Sequence, residues 1–330
     1  MKALVIEKYG EKPIFQDRPM PVAGNHEVLI EIYAASLNPL DTKIRKGDLK
    51  LVLKYDMPLT LGNDFAGKVI QAGANVTKFK VGDEVYGRPR ASKIGTFAEY
   101  LAVHEDDITL KPSNLDFAEA ASVPLVGLTS YQALHDILQV KSGQKVLIHA
   151  GSGGVGTFAI QLAKSMGAFV ATTASSGSEL AKTLGADRVI DYKQENFEDV
   201  LREYDAVIDT LGGATLEKSF AVLKDGGQVV SVSGAPTGRF AEEQKLGGMK
   251  KFLFSLASAK VMKLAKKHNT RYTFLFMKHS GEQLELLTKR LESKEIIPVI
   301  DKVFDFEDVL QALDYLETGR AKGKVVVRMK

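Results

Sequence analysis

The chain has 330 residues, 45% of them hydrophobic, and a formal net charge of +3, which is enough for two soluble domains with ordinary cores. It contains no cysteine, and that removes disulfides, catalytic thiols and thiolate metal sites. No apolar run is long enough for a bilayer. Met1–Lys8 is too short and too soon charged for a secretory signal, so the expectation is a first strand and a cytoplasmic location.

Taken in order, the residues before about Val123 read as short strands: Lys2–Glu7, Val28–Ala34, Ala66–Ala72, Glu84–Gly87 and Phe97–Val103. Turn signals separate them at Ala23-Gly24-Asn25, Gly73-Ala74-Asn75 and Val81-Gly82-Asp83. This punctuation predicts a β-rich domain, a partly open barrel. From Val123 the texture changes. A helix is expected over Leu128–Leu138. Strands (Lys145–Ala150, Phe169–Thr173, Arg188–Tyr192, Ala206–Leu211, Gln228–Ser233) then alternate with helices (Gly154–Met166, Ser178–Leu184, Glu195–Glu203, Ala214–Leu223). Gly167, Gly185 and Gly226 are read as helix ends. Such alternation predicts a doubly wound parallel sheet, an α/β fold.

The stretch Lys145–Lys164 organises this half. An apolar strand runs into Gly151-Ser152-Gly153-Gly154-Val155-Gly156, and a helix follows with apolar residues at Val155, Ala159, Leu162 and Ala163. The three spaced glycines allow a tight turn, close approach to a pyrophosphate and close helix–strand packing. Free N–H groups at the helix start then face phosphates. These six residues are the candidate cradle of a dinucleotide.

Lys245–Arg271 holds eight basic residues and no acidic one, so the rest of the chain is net acidic. Lys250–Lys267 has roughly helical apolar spacing at Phe254, Ala257, Val261, Leu264 and Ala265. A helix of this kind reads as a lid over a substrate cleft, a membrane-surface contact or a nucleic-acid contact. A helix at Gly281–Glu292 and a closing strand–helix–strand over Ile296–Lys330 follow. The last strand is expected to rejoin the first domain. The domains are thus set at 1–122 with 297–330, and 123–296 with a basic helical insertion near 240–271.

Further motifs are Asn38-Pro39-Leu40-Asp41, Gly62-Asn63-Asp64-Phe65-Ala66-Gly67, Val81-Gly82-Asp83-Glu84-Val85, Gly127-Leu128-Thr129-Ser130-Tyr131 and Gly323-Lys324-Val325-Val326. With Ala150–Gly156 they resemble the medium-chain dehydrogenase/reductase superfamily, in its zinc-free quinone-oxidoreductase-like branch, along essentially the whole chain. The resemblance implies a GroES-like domain beside a Rossmann domain. It also implies a zinc-independent reductase that passes reducing equivalents from NADPH to a quinone or related conjugated carbonyl, and a homodimer. Two alternatives stay open: a 2-alkenal/enone double-bond reductase, and a non-catalytic NADPH-binding protein that contacts RNA or membrane through its basic segment.

Metal is not expected. Where zinc members carry Gly-His-Glu this chain has Gly62-Asn63-Asp64, the cysteine position is Asn38, and Leu40 replaces a proton-relaying hydroxyl. The turn after the second Rossmann strand, with Ser175 and Ser176, has no carboxylate to repel a 2′-phosphate, so the cofactor is expected to be NADP(H). No lysine or arginine stands in that turn. The resemblance places Thr129, Tyr192, Ser233 and Gly234 at the cofactor. Asn38 and Asp41 are the catalytic candidates, Asn38 as a donor to an acceptor oxygen. Their plainer roles are a turn before Pro39 and a helix cap. A tyrosine found in enoyl-thioester reductases is missing near Arg45–Lys50; Tyr55 replaces it if its loop folds inward. His149, inside a strand, reads as a hydrogen-bonded core histidine.

Overall fold

Val146, Leu147, Ile148, Val207, Ile208, Val229 and Val230 are all buried. Runs of this kind, apolar on both faces, suit a parallel sheet covered on two sides. In the computed structural model, which describes residues 1–330, they form one. Its strand order is Arg188–Asp191, Phe169–Ala174, Lys145–Ile148, Tyr204–Asp209, Leu223–Ser231, Arg271–Phe274. Every pairing in it is parallel. The order reverses between Lys145–Ile148 and Tyr204–Asp209, where open α/β sheets bind ligands beyond their strand ends.

This sheet belongs to a compact unit, Thr129–Met277; the other unit comprises Met1–Leu128 and Lys278–Lys330. The closing strand Lys324–Arg328 lies in the first unit, paired with Glu27–Leu37. The helix Gly281–Glu292, read as part of the nucleotide half, lies with the first unit instead. The Tyr86 hydroxyl donates to Leu284 O at 3.1 Å, and Ser113 and Asn114 bond Glu292 and Leu291. Its apolar face at Leu284, Leu287 and Leu291 is buried.

Three other expectations change. The helix over Leu128–Leu138 is α-helical at Pro124–Tyr131 and widens to a π-helix at Gln132–Ile137. Gly226 does not end a helix; it lies within Leu223–Ser231, with φ +76°. The helix expected at Glu195–Glu203 shortens to Phe197–Val200. No helix is long and apolar enough to cross a membrane.

In the first unit one strand, Glu27–Leu37, dominates. It pairs with Asp64–Ala72, Tyr100–His104 and Lys324–Arg328, all antiparallel. Register shifts at Leu29/Ile30 and Ile32/Ala34 bend it, as bulges do. The full sheet runs Ile300–Asp305, Lys324–Arg328, Glu27–Leu37, Asp64–Ala72, Glu84–Gly87, Ile108–Leu110, and a three-stranded sheet, Ile14–Asp17, Lys2–Ile6, Leu59–Thr60, accompanies it. The pairs Ser36/Asp64 and Leu37/Val325 gather polar residues from distant parts of the sequence at one place.

Candidate active site and family

The nucleotide half of the site follows from the glycine turn. A Cβ on Gly151 would lie 2.1 Å from Thr172 Oγ1, and one on Gly156 would lie 2.2 Å from Ala150 O. Neither position accepts a side chain. A Cβ on Gly153 would meet only Ala150 O, at 3.4 Å, so that glycine faces open space. Gly153 is also the N-cap of the helix Gly154–Ser165, and no side chain caps it. The first-turn N–H groups of Gly154, Val155 and Gly156 have no intrahelical acceptor. An open space at an uncapped helix start is the cradle a pyrophosphate needs.

His149 fixes the turn from below. Its Nδ1 is 3.1 Å from Thr173 Oγ1, and its Nε2 is 2.9 Å from Ser219 Oγ. The Ser219 hydroxyl donates to Thr215 O, so Nε2 carries the proton and Nδ1 accepts from Thr173. Thr173 Oγ1 in turn accepts Ala150 N–H, and Thr173 O accepts Gly151 N–H. Burial pushes the imidazole pKa down to about 3. It is the neutral, fully bonded core histidine that the sequence suggested.

The strand Phe169–Ala174 ends in half-buried Ser175 and exposed Ser176. Asp191 pairs with Ala174 across the sheet, but its carboxylate accepts Lys193 N–H and the Gln194 amide within its own turn. Tyr192 is exposed, and Thr129 is buried in the helix Pro124–Tyr131. At the strand ends the sequence reading missed Asp209. This buried carboxylate accepts Leu211 N–H, Gly212 N–H and the Ser231 hydroxyl. Ser231 Oγ accepts the N–H groups of both Ser233 and Gly234. Those two N–H groups are therefore engaged within the loop, which Asp209 holds in place.

A second cluster of polar side chains lies in the first unit. Asp41, in the helix Pro39–Lys46, accepts Asn38 N–H on Oδ2 and Asn63 Nδ2 on Oδ1, each at 2.7 Å. It thus caps its helix and also belongs to a buried network. Asn38 Oδ1 accepts from Lys324 Nζ at 2.5 Å, while Asn38 Nδ2 donates to Asp64 Oδ2 at 2.9 Å and to Ser36 O at 3.4 Å. Asp64 also accepts from the Ser36 hydroxyl, Leu125 N–H and, at 3.3 Å, Lys324. The Asn38 amide expected to reach an acceptor is therefore committed inside the protein.

Burial raises the Asp41 pKa from 3.8 to about 7, and neighbouring Asp64 adds to the rise; the bonds from Asn63 and Asn38 N–H and the charge of Lys324 oppose it. Burial pushes Lys324 down. Arg88 completes the cluster, one step beyond the Phe65/Gly87 pair, and so opposite Asp64 on the same face of the ladder. It is buried, yet its Nε and Nη1 have no hydrogen-bond partner, nor has Asn63 Oδ1. The charges of Asp64, Asp107 and Asp41 act on it without a bond to these atoms, and Asp107 is clamped by Arg90 at 2.9 Å through Nε and Nη2. Tyr55 folds inward only far enough to donate its hydroxyl to Ala91 O at 2.7 Å.

The sequence suggested Asn38 and Asp41; the fold adds Ser36, Asn63, Asp64, Arg88 and Lys324. The Gly-Asn-Asp and Gly-Lys-Val-Val motifs were signals for three of these. Arg88 had none. No group of three or more His, Cys, Asp or Glu side chains is placed so that it could hold a metal ion.

Comparison with known proteins agrees with this architecture. The family model for the alcohol dehydrogenase GroES-like domain matches residues 24–113, and that for zinc-binding dehydrogenases matches residues 184–327. The 2-methylene-furan-3-one reductase of Solanum lycopersicum is 39% identical, over 99% of this chain and 79% of its own. The chloroplastic NADPH-dependent alkenal/one oxidoreductase of Arabidopsis thaliana is 36% identical over the same shares, 99% and 79%. The solved quinone oxidoreductase from Coxiella burnetii is 34% identical with a TM-score of 0.85, covering 100% of this chain and 99% of that one. The chain belongs to the medium-chain dehydrogenase/reductase superfamily, in its quinone-oxidoreductase-like branch.

Proposed function

We propose that the protein is an NADP(H)-dependent reductase that reduces a conjugated carbonyl acceptor, a quinone in the first instance, without a metal ion. The observation that carries the reading is Arg88, a buried guanidinium with two donors left open. Hydride addition to one end of a conjugated system leaves negative charge on the oxygen at the other end. Preorganised donors at that oxygen lower the barrier. Arg88 receives the oxygen, and Asp41, with its carboxyl near neutrality, holds the proton that returns to it. Asn38, Asn63 and Lys324 are positioning residues that fix Asp41 and Asp64.

The bound dinucleotide supplies the hydride. Gly151, Ser152, Gly153, Gly154, Val155 and Gly156 hold its pyrophosphate. Ser175 and Ser176, with Tyr192 beyond them, take the adenosine end, where no carboxylate opposes a 2′-phosphate. Thr129, Ser233 and Gly234 serve the nicotinamide end, Ser233 and Gly234 through groups other than the two engaged N–H. An NADPH-dependent relative supports the choice of cofactor. Metal independence is supported by Asn38 and Asn63, whose amides bond within the protein where zinc members carry ligands. The remaining proposals are a cytoplasmic homodimer and domains centred on the two compact units. The edge strand Arg271–Phe274 offers a second copy a row of backbone groups.

A second reading, reduction of a 2-alkenal or enone double bond, is favoured by the two relatives whose names specify such acceptors. Both readings use the same oxygen receptor. The test is anaerobic NADPH oxidation by chelator-treated protein with a simple quinone, an ortho-quinone and an alkenal, with NADH in parallel. Quinone turnover with NADPH preferred supports the first reading, and alkenal turnover with inert quinones selects the second. Inertness with all three acceptors, or dependence on added zinc, defeats the proposal.

A further inference from the structure

The helix Gly248–Lys267 carries two apolar faces. One is spent. Phe254, Ser258, Val261 and Ala265 are buried, with Val261 and Ala265 in the cluster that holds Phe220 and Tyr272, and Phe254 lies 6.0 Å from Phe240. The sequence left a lid, a membrane contact and a nucleic-acid contact open; this face packs on the helix's own unit.

The other face is the unusual one. Met249 is 74% exposed, Phe252 59%, Leu253 45% and Leu256 59%. Their spacing of three, four and seven is that of one helical stripe. On a wheel of about 100° per residue the stripe lies nearly opposite the buried face. Lys260, Lys263 and Lys267 fall on the same outward side, one to three turns further along. Lys260 is paired with Glu217, and Lys251 with Glu242. Over the whole span Lys245–Arg271 no acidic residue interrupts the positive charge.

We propose that this outward face docks on an anionic lipid surface, with Met249, Phe252, Leu253 and Leu256 in the headgroup–acyl boundary and Lys263, Lys266 and Lys267 among the headgroups. An exposed apolar stripe beside Lys263, Lys266 and Lys267 offers both contacts that an anionic lipid surface takes, apolar insertion and cationic attraction. The charge argues against a second copy on the same face, because an antiparallel partner would set each apolar half on the other's lysines. The inference stands independently of the reductase chemistry.

The experiment is co-sedimentation of the full chain with vesicles of phosphatidylcholine alone, and of phosphatidylcholine with phosphatidylglycerol. Binding is expected to the anionic vesicles and to weaken steeply with salt. Phe252→Glu with Leu256→Glu, and separately Lys263→Glu with Lys267→Glu, are each expected to reduce it by about tenfold or more. All four side chains are exposed, so circular dichroism and NADPH affinity are expected to stay unchanged. The proposal is overturned if neither vesicle binds at low salt, or if both double variants bind like the parent. It is equally overturned if sedimentation equilibrium shows a dimer that the Phe252/Leu256 variant dissolves while vesicles are ignored.

Discussion

His149 and Asp41 are both buried, titratable and held by two short hydrogen bonds, one in each unit. Burial pushes the imidazole down to about 3 and the carboxyl up to about 7. Around His149 each polar atom has its complement, and the group is neutral. Around Asp41 two further charged side chains, Asp64 and Lys324, are buried with it, and Arg88 and Asn63 keep atoms without partners. A protein rarely leaves buried donors unused. The satisfied cluster holds the glycine turn in shape. The unsatisfied one keeps donors that, in the proposed function, receive the acceptor oxygen.

The comparison breaks most directly at Arg88. Arg88→Met is expected to lower kcat by about 10²–10³-fold, the cost of losing an oxyanion donor. Because Nε and Nη1 of the Arg88 guanidinium have no hydrogen-bond partner to lose, the thermal midpoint is expected to fall by less than about 2 °C. Large destabilisation with intact turnover would make Arg88 a structural counter-charge and erase the contrast. Ser219→Ala asks the converse. It leaves His149 Nε2–H without an acceptor and is expected to cost about 1–3 kcal/mol of stability in denaturant unfolding. Its kcat is expected to stay within about twofold of the parent's, a difference of less than half a kcal/mol.

A pH series sharpens the electrostatic side. Between about pH 4 and 7 the folded state holds a proton on Asp41 that the unfolded chain has lost, so this group makes stability fall as pH rises, by up to about 1.4 kcal/mol per unit. His149 acts oppositely between about pH 3 and 6.5, where only the unfolded chain binds the proton. The two contributions oppose each other across the shared range. Asp41→Asn, which Asn63 accommodates by turning its unused Oδ1 toward the new amide, is expected to steepen the rise of stability from pH 4 to 6.5. His149→Gln is expected to shift that slope the other way. A pH series of urea midpoints checks both, and parallel profiles for the two variants and the parent would contradict the assigned burial effects.

How much of this the sequence revealed depended on distance along the chain. The strand, three glycines and helix were readable because they are contiguous, so local rules determine the geometry. His149 was readable for the same reason. The Asp41 cluster draws on Ser36, Asn63, Arg88 and Lys324, brought together by strand register. Nothing near Arg88 in the sequence marks it, since its importance lies in what its neighbours have already bonded. The helix Gly281–Glu292 was placed correctly as a helix but assigned to the other half, because its partners Tyr86 and Ser113 are remote. The periodicity of Lys250–Lys267 revealed a buried face; the second stripe emerged only when exposure was known.

Lys324 reaches Asp64 and Asn38 across 260 and 286 positions of sequence, with the whole Thr129–Met277 unit between them. During synthesis that unit emerges complete while the first waits for its last strand. Until then Asp64 and Asn38 lack their buried cation, and the edge of Glu27–Leu37 that Lys324–Arg328 will occupy stays open. The nascent chain therefore passes through a stage with the Thr129–Met277 unit formed and the sheet of the first unit still lacking the strand Lys324–Arg328.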